Sequence, residues 1–116
     1  MKGQSMTDVS TDTVLATGTT TSRALNARFS DNLNLLDFGA DPTGASDSTT
    51  AVQNWLNATT THNKAGYAPA GTYSIDGAVS LPTGNFTIYG DPGCTEFVCI
   101  GSGQFSATSL GIMNII

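Results

Sequence analysis

The second half of the chain consists of short apolar segments separated by corner residues. Each segment has about four residues in which apolar and polar side chains roughly alternate, a pattern typical of strands. Gly, Asp and Pro lie between the segments and favour turns. The pattern predicts the coils of a solenoid with about 20 to 30 residues per turn or a small β-sandwich. The segments are Tyr67–Pro69, Thr72–Ile75, Ala78–Leu81, Phe86–Tyr89 and Phe97–Ile100.

A short strand that begins at Leu35, a polar loop and an amphipathic helix precede these segments. In Asp41–Gly44, Pro presets φ and Gly permits a positive φ, so a tight turn is expected. Asp47 is then the predicted N-cap of a helix over about residues 48–58. The apolar side chains of this helix form one stripe, so we expect the helix to cover an apolar surface. The stripe consists of Ala51, Val52, Trp55 and Leu56.

The same region carries a family resemblance. The run DFGADPTGASDSTTAVQ (37–53), followed by YAPAGTYSI (67–75), resembles the opening motif of the pectate-lyase superfamily. More narrowly, it resembles the start of bacteriophage tailspike and tail fibre proteins. The preceding run ATGTTTSRALNARF (16–29) is similar to the segment that leads into this motif in those proteins.

The resemblance implies a mainly β fold in two parts. Residues 1–32 would form an extended, virion-anchoring arm with a short helix. Residues 33–116 would form a capping helix and the first rungs of a right-handed parallel β-helix. Because the first turn of a solenoid exposes its interior unless something covers it, four residues are expected to form the cap: Asp47, Val52, Trp55 and Leu56.

The arm is rich in Ser, Thr, Asp and Gly and has few apolar side chains. Such a segment buries too little surface to offset its ordering entropy, so a partner chain is expected to hold it. A helix is predicted over 22–29, with Ser22 as N-cap, and it lies near an oligomer axis or packs on its own domain. The predicted assembly and anchoring residues are Val9, Val14, Leu15, Arg23, Leu25, Arg28 and Phe29.

Composition and charge argue against several classes of partner. The net charge is −5 and the four cationic residues are scattered, whereas binding to nucleic acid requires clustered Lys and Arg. No apolar run approaches the roughly 20 residues that span a membrane, so membrane insertion is not expected. The first residues lack the apolar core of a signal peptide. Synthesis in a cytosol without export by that route is therefore predicted. The resemblance to phage tail proteins implies that this is a bacterial cytoplasm and that the final location is the virion.

No metal, cofactor or catalytic site is predicted within the sequence. Asp37, Asp41 and Asp47 do not have the spacing of a calcium loop, and turn formation and capping account for them. Cys94 and Cys99 do not have a zinc spacing and are expected to be buried and reduced.

The resemblance implies a structural function. The chain would be the N-terminal, particle-anchoring region of a tailspike or tail fibre used for host attachment. It would form a homotrimer and bind other phage tail, portal or baseplate proteins through the arm. The apolar run at 110–116 has no polar cap, so we expect a longer native protein whose further parts bind bacterial surface polysaccharide.

Two other functions remain open. The first is a polysaccharide lyase or glycoside hydrolase acting on bacterial surface polysaccharide. Glycoside cleavage needs two carboxylates across a sugar groove. Beyond the loop only Asp76, Asp91 and Glu96 are available, so the active site would lie beyond residue 116. The second is a carbohydrate-binding module with aromatic platforms at Trp55, Tyr67, Tyr73 and Tyr89.

Overall fold

The computed structural model describes residues 9–107 and the backbone of residues 113–115. The start of the predicted arm (1–8) and most of the apolar run at 110–116 lie outside the described residues. The chain divides into two compact units, Met1–Asp31 and Asn32–Ile116. With 33% of residues in strands and 22% in helices, the prediction of a mainly β fold is confirmed.

The first unit contains a two-stranded hairpin and one turn of helix. Strand β1 (Thr13–Val14) pairs antiparallel with β2 (Arg23–Ala24), and α1 (Leu25–Phe29) follows directly. The predicted helix start at Ser22 is wrong, because the pairing with β1 holds residues 23 and 24 in an extended conformation. The N-cap is Ala24, which makes no side-chain capping bond.

The second unit begins with a strand and two helices and continues as short strands. Strand β3 (Asn32–Asn34) leads into a 3₁₀ helix (Leu35–Phe38) and then α2 (Thr49–Thr61). The five predicted strands are present, with ends within two residues of the prediction, and β9 was not predicted. The short strand predicted to begin at Leu35 is wrong, because Leu35–Phe38 form the 3₁₀ helix and β3 ends at Asn34. The later strands are β4 (Ala65–Ala68), β5 (Gly71–Ile75), β6 (Ala78–Ser80), β7 (Phe86–Gly90), β8 (Thr95–Cys99), β9 (Gln104–Ser106) and β10 (Met113–Ile115).

Helix α2 is longer than the sequence predicts. It starts one residue later than expected and ends three residues later, at Thr61. The hydroxyl of Thr59 donates to the carbonyl oxygen of Leu56 at 2.6 Å, and that of Thr60 donates to the carbonyl oxygen of Asn57 at 3.0 Å. These bonds satisfy two hydroxyl groups within the helix, so threonine continues it where the sequence pattern predicted a polar spacer.

Every strand pairing in the second unit is parallel. The strands form three sheets in the orders β10-β7-β4-β3, β5-β8 and β6-β9. From β4 to β7, each strand pairs with one that follows it by a similar length of chain: Gly66 lies opposite Ile88, Tyr73 opposite Phe97 and Val79 opposite Phe105. A β-sandwich is built from antiparallel sheets, so the sandwich alternative is wrong.

The core of the second unit lies between these sheets and α2. Trp55 is 1% exposed, and its ring stacks on Phe97 with centroids 6.3 Å apart. Its indole N–H donates to the carbonyl oxygen of Leu33 at 2.7 Å, so the one polar atom of the ring is satisfied. A Cβ on Gly66 would lie 2.8 Å from the indole ring. Glycine at position 66 therefore permits the close approach of α2 to β4.

Candidate functional site

The predicted assembly residues lie in a unit without a core. None of the side chains of residues 9–31 is buried. Phe29 is 75% exposed, Leu15 55% and Val9 48%. Val14 is exposed as well, whereas Leu25 and Arg28 are half-buried. The structure therefore leaves most of the apolar members of the predicted set accessible.

Arg23, also in the predicted set, makes contacts inside the first unit. Its guanidinium donates to both carboxylate oxygens of Asp31 at 2.8 and 2.9 Å and to the carbonyl oxygen of Ala27 at 3.2 Å. The hydrogen bonds and the charge of Asp31 raise the pKa of Arg23. Arg23, which lies in β2, thus links this strand to α1 and to Asp31, which follows the helix.

In the second unit, the outer edges of three strands are covered by β3, by the loop over residues 42–48 and by α2. We call these edges, which face away from β7, β8 and β9, the leading edges of β4, β5 and β6. The leading edge of β4 is covered by β3, with Leu33 opposite Gly66 in parallel register. An unpaired edge offers free N–H and C=O groups to other chains, so the way in which each edge is covered matters for assembly.

The loop over residues 42–48 covers the leading edge of β5. The N–H of Thr72 donates to the carbonyl oxygen of Pro42 at 2.8 Å, and the N–H of Ser48 donates to that of Ser74 at 2.8 Å. The Ser74 hydroxyl donates to the carbonyl oxygen of Gly44 at 2.7 Å. The predicted turn therefore also provides hydrogen-bond partners for the leading edge of β5.

Asp41 organises this loop. Its carboxylate accepts hydrogen bonds from the Thr43 hydroxyl at 2.7 Å and from the N–H groups of Thr43 and Ser46 at 2.9 Å. These bonds, that from the Thr43 hydroxyl first, lower the pKa of Asp41. The Asp41 N–H donates to the hydroxyl of Ser48, which is buried. The aspartate thus serves the turn, as the sequence predicted.

Asp47 has a different position from the one predicted. The N-cap of α2 is Ser48, whose hydroxyl is engaged by Asp41, so the prediction of Asp47 as N-cap is wrong. The Asp47 carboxylate, one residue earlier, accepts hydrogen bonds from the hydroxyl and N–H of Thr49 and from the N–H of Asp76. These bonds lower the pKa of Asp47, with the Thr49 hydroxyl as the largest cause. Asp47 therefore links the start of α2 to the end of β5.

Side chains of α2 cover the leading edge of β6. The Thr49 hydroxyl oxygen accepts the N–H of Gly77 at 3.0 Å. The carboxamide of Gln53 accepts the N–H of Ser80 at 2.7 Å and donates to the carbonyl oxygen of Ser80 at 2.8 Å. Thr49 and Gln53 lie one helical turn apart and share a face. We did not predict these two residues, although the polar spacing of Thr49, Gln53 and Asn57 beside the apolar stripe was visible in the sequence.

The remaining predicted cap residues lie in the interior. Val52 is fully buried, and Trp55 and Leu56 are each 1% exposed. They fill the space between the sheets, while the neighbouring polar face of the same helix reaches β6. Helix α2 thus covers apolar surface and a strand edge at once.

The four aromatic platform candidates fall into two pairs. Trp55 and Tyr73 are buried, so the platform hypothesis is wrong for them. Tyr67 and Tyr89 are half-buried and stack on each other with centroids 5.0 Å apart. The Tyr67 hydroxyl donates to the carboxylate of Asp91 at 3.0 Å, a bond that raises the pKa of Tyr67. Each ring therefore covers one face of the other, and Asp91 holds the hydroxyl of Tyr67 in place.

Among the carboxylates that follow the loop, Asp91 serves a corner, whereas Glu96 lies within β8 and contacts β5. Asp91 also accepts the N–H of Ala70 at 2.9 Å, and Glu96 accepts the Thr72 hydroxyl at 3.4 Å. In the described part of the chain, no group of three or more His, Cys, Asp and Glu side chains could hold a metal ion.

Two further sequence features can be compared with the structure. The expectation that Cys94 and Cys99 are buried is wrong, since both thiols are free and exposed at a corner and a strand end. Among the described helices, none has the length and apolar character to cross a membrane.

The family comparison covers the second unit. A family model described as rhamnogalacturonase A/epimerase, pectate lyase-like, matches residues 32–115. The chain belongs to this pectate-lyase-like family. The predicted resemblance to the pectate-lyase superfamily is thereby confirmed, whereas the narrower resemblance to phage tailspikes stays a prediction. Searches of characterised proteins and of solved structures found no significant match.

The pectate-lyase-like match begins at Asn32, which is also the first residue of the second unit. All the residues that cover the leading edges lie within it. The first unit, with its exposed apolar side chains, lies outside the family match.

Proposed function

We propose that this chain is a structural virion component, the N-terminal particle-anchoring region of a phage tailspike or tail fibre used for host attachment. In this proposal the first unit is an assembly element and the second unit is the start of a right-handed parallel β-helix. The observation that carries it is the absence of any buried side chain in residues 9–31, next to a pectate-lyase-like unit with a packed core.

The proposal for the first unit rests on its energetics. A two-stranded hairpin is marginally stable by itself, and an isolated helix of one turn is not stable in water. Exposed Phe29, Leu15 and Val9 would gain by burial, about 25 cal/mol for each Å² of apolar surface removed from water. A partner surface supplies that burial. We propose that further copies of this chain, in a homotrimer, and other phage tail, portal or baseplate proteins provide it in the virion.

The proposal for the second unit rests on its strand registers. From β4 to β7, each strand is extended by a parallel strand 22 to 27 residues further along the chain, as in the pairs of Gly66 with Ile88 and of Phe86 with Met113. Parallel strands joined by crossover connections are right-handed in nearly all proteins. A right-handed β-helix satisfies both observations, with α2 as its cap.

The mass of the protein in solution tests the assembly. We expect a mass about three times the 11.9 kDa of one chain by light scattering, and a lower mass for the variant Phe29→Ser. The matched control is Ile100→Ser, because Ile100 is an exposed apolar residue (47%) of the second unit. A monomer at every concentration, or an equal effect of the two variants, would contradict the proposal.

A second candidate function is favoured by the family match itself. The protein could act on bacterial surface polysaccharide as a lyase or glycoside hydrolase, with an active site beyond residue 116. In the described residues the carboxylates of Asp41, Asp47 and Asp91 accept backbone N–H bonds. Incubation of the 116-residue chain with capsule or O-antigen polysaccharide should leave the polymer size unchanged. Depolymerisation by this chain would contradict the structural function and would also contradict an active site beyond residue 116.

A further inference from the structure

We propose that Gln53 is an edge-closing residue, whose carboxamide takes the place of a neighbouring strand on β6 and prevents an extended segment of another chain from adding there. This inference concerns the second unit alone and does not depend on the assembly of the first.

The geometry at Ser80 matches that of a parallel ladder. In such a ladder one residue directs its N–H and its C=O to the same neighbouring strand. Ser80 directs both groups to Gln53, with distances of 2.7 Å to the carboxamide oxygen and 2.8 Å from the carboxamide nitrogen. The next residue, Leu81, donates its N–H to Ser106 on the opposite side of β6 at 2.7 Å. The side-chain amide thus supplies both the acceptor and the donor that a neighbouring parallel strand would offer to Ser80.

The carboxamide is held in this orientation by its neighbours. The second N–H of the Gln53 amide donates to the side-chain oxygen of Asn57, one turn along α2, at 3.1 Å. One turn earlier, Thr49 accepts the N–H of Gly77 at 3.0 Å. Because Thr49, Gln53 and Asn57 follow the same face of the helix, β6 runs along a row of polar side chains instead of a strand.

The closure matters because, apart from the side chains of α2, no charged residue or proline in β6 protects this edge. Proteins commonly keep edge strands from pairing with other chains by charged side chains or proline. The residues of β6 are Ala78, Val79 and Ser80, which carry neither. An accessible edge of this kind accepts an extended peptide through main-chain hydrogen bonds. The occupant that Gln53 excludes is therefore an extended segment, for which a second copy of this chain is the available source.

A pair of leucine variants tests the proposal. Gln53→Leu removes the carboxamide, and Asn54→Leu makes the same change at the adjacent, exposed position without touching β6. Amide exchange at Ser80 is expected to be about 5- to 10-fold faster in Gln53→Leu, since a hydrogen bond contributes about 1 kcal/mol. Exchange at Leu81 should be much less affected. Sedimentation velocity should show more association for Gln53→Leu than for Asn54→Leu.

A second variant separates the loss of the contact with Ser80 from misfolding and from the apolar surface that leucine adds. Gln53→Asn keeps the amide chemistry but is one methylene too short to reach Ser80. It should also speed exchange at Ser80 and increase association relative to the wild type. If Ser80 exchange stayed at the wild-type rate in both Gln53 variants, or if exchange rose without any added association, the proposal would be overturned.

Discussion

Both units of this chain contain short strands, yet they differ in what those strands bury. The first unit has two-residue strands and a five-residue helix, and none of its described side chains is buried. The second has strands of three to five residues and a core that includes Trp55, Tyr73 and Ile75. Short strands are therefore sufficient when a stack of parallel neighbours and a covering helix bury their side chains, and insufficient when they stand alone.

The largest difference between the units should come from aromatic truncation. We expect Trp55→Ala to lower the free energy of unfolding by about 3 to 5 kcal/mol, because it leaves a cavity beneath α2 and removes the hydrogen bond to Leu33. Phe29→Ala, at a 75% exposed position of the first unit, should change it by about 0.5 kcal/mol or less. Chemical denaturation followed by far-UV circular dichroism measures both. Equal losses would remove the distinction between the two units.

A smaller effect is expected where α2 approaches β4. Gly66→Ala places a Cβ 2.8 Å from the Trp55 indole, and overpacking of this kind costs about 1 to 3 kcal/mol. Combining it with Trp55→Phe should recover part of that loss, because the smaller ring leaves room for the methyl group. A double-mutant cycle measures the coupling. Additive effects would show that the contact does not determine the position of the helix.

The smallest effect concerns the loop carboxylates and depends on pH. The folded state lowers the pKa of Asp41 and Asp47 below the ordinary 3.8. Their contribution to stability is therefore fully present above that value and is lost as the pH falls through the lower, folded-state pKa. We expect Asp47→Asn to flatten the fall of unfolding free energy below about pH 4. Asn54→Ala, at an exposed position of α2, replaces an uncharged side chain; it is the control and should retain the wild-type slope.

Much of the second unit could be predicted because its signals are local. The alternation of apolar residues located β4 to β8, and the apolar stripe of α2 identified Val52, Trp55 and Leu56 as interior residues. Both patterns arise because one face of each strand or helix is buried, and the periodicity of apolar residues along the sequence shows such a face directly.

The edge closure could not be predicted in the same way. The bonds from Gln53 to Ser80 and from Asp47 to Asp76 join residues 27 and 29 positions apart, and a polar side chain on a helix gives no sign of its distant partner. The shift of the N-cap from Asp47 to Ser48 has the same origin, since the Ser48 hydroxyl is engaged by Asp41. In the first unit, the hairpin replaced the first residues of the predicted helix because pairing with β1 is also non-local.

The concentration dependence of amide exchange tests the central claim most directly. In the first unit the N–H of Leu25 donates to Asp12 and that of Asn26 to Ser10, whereas Thr72 donates to Pro42 in the second unit. If the first unit is ordered by assembly, protection at Leu25 and Asn26 should rise with protein concentration while that at Thr72 stays constant. Protection at all three amides that is independent of concentration would contradict the claim.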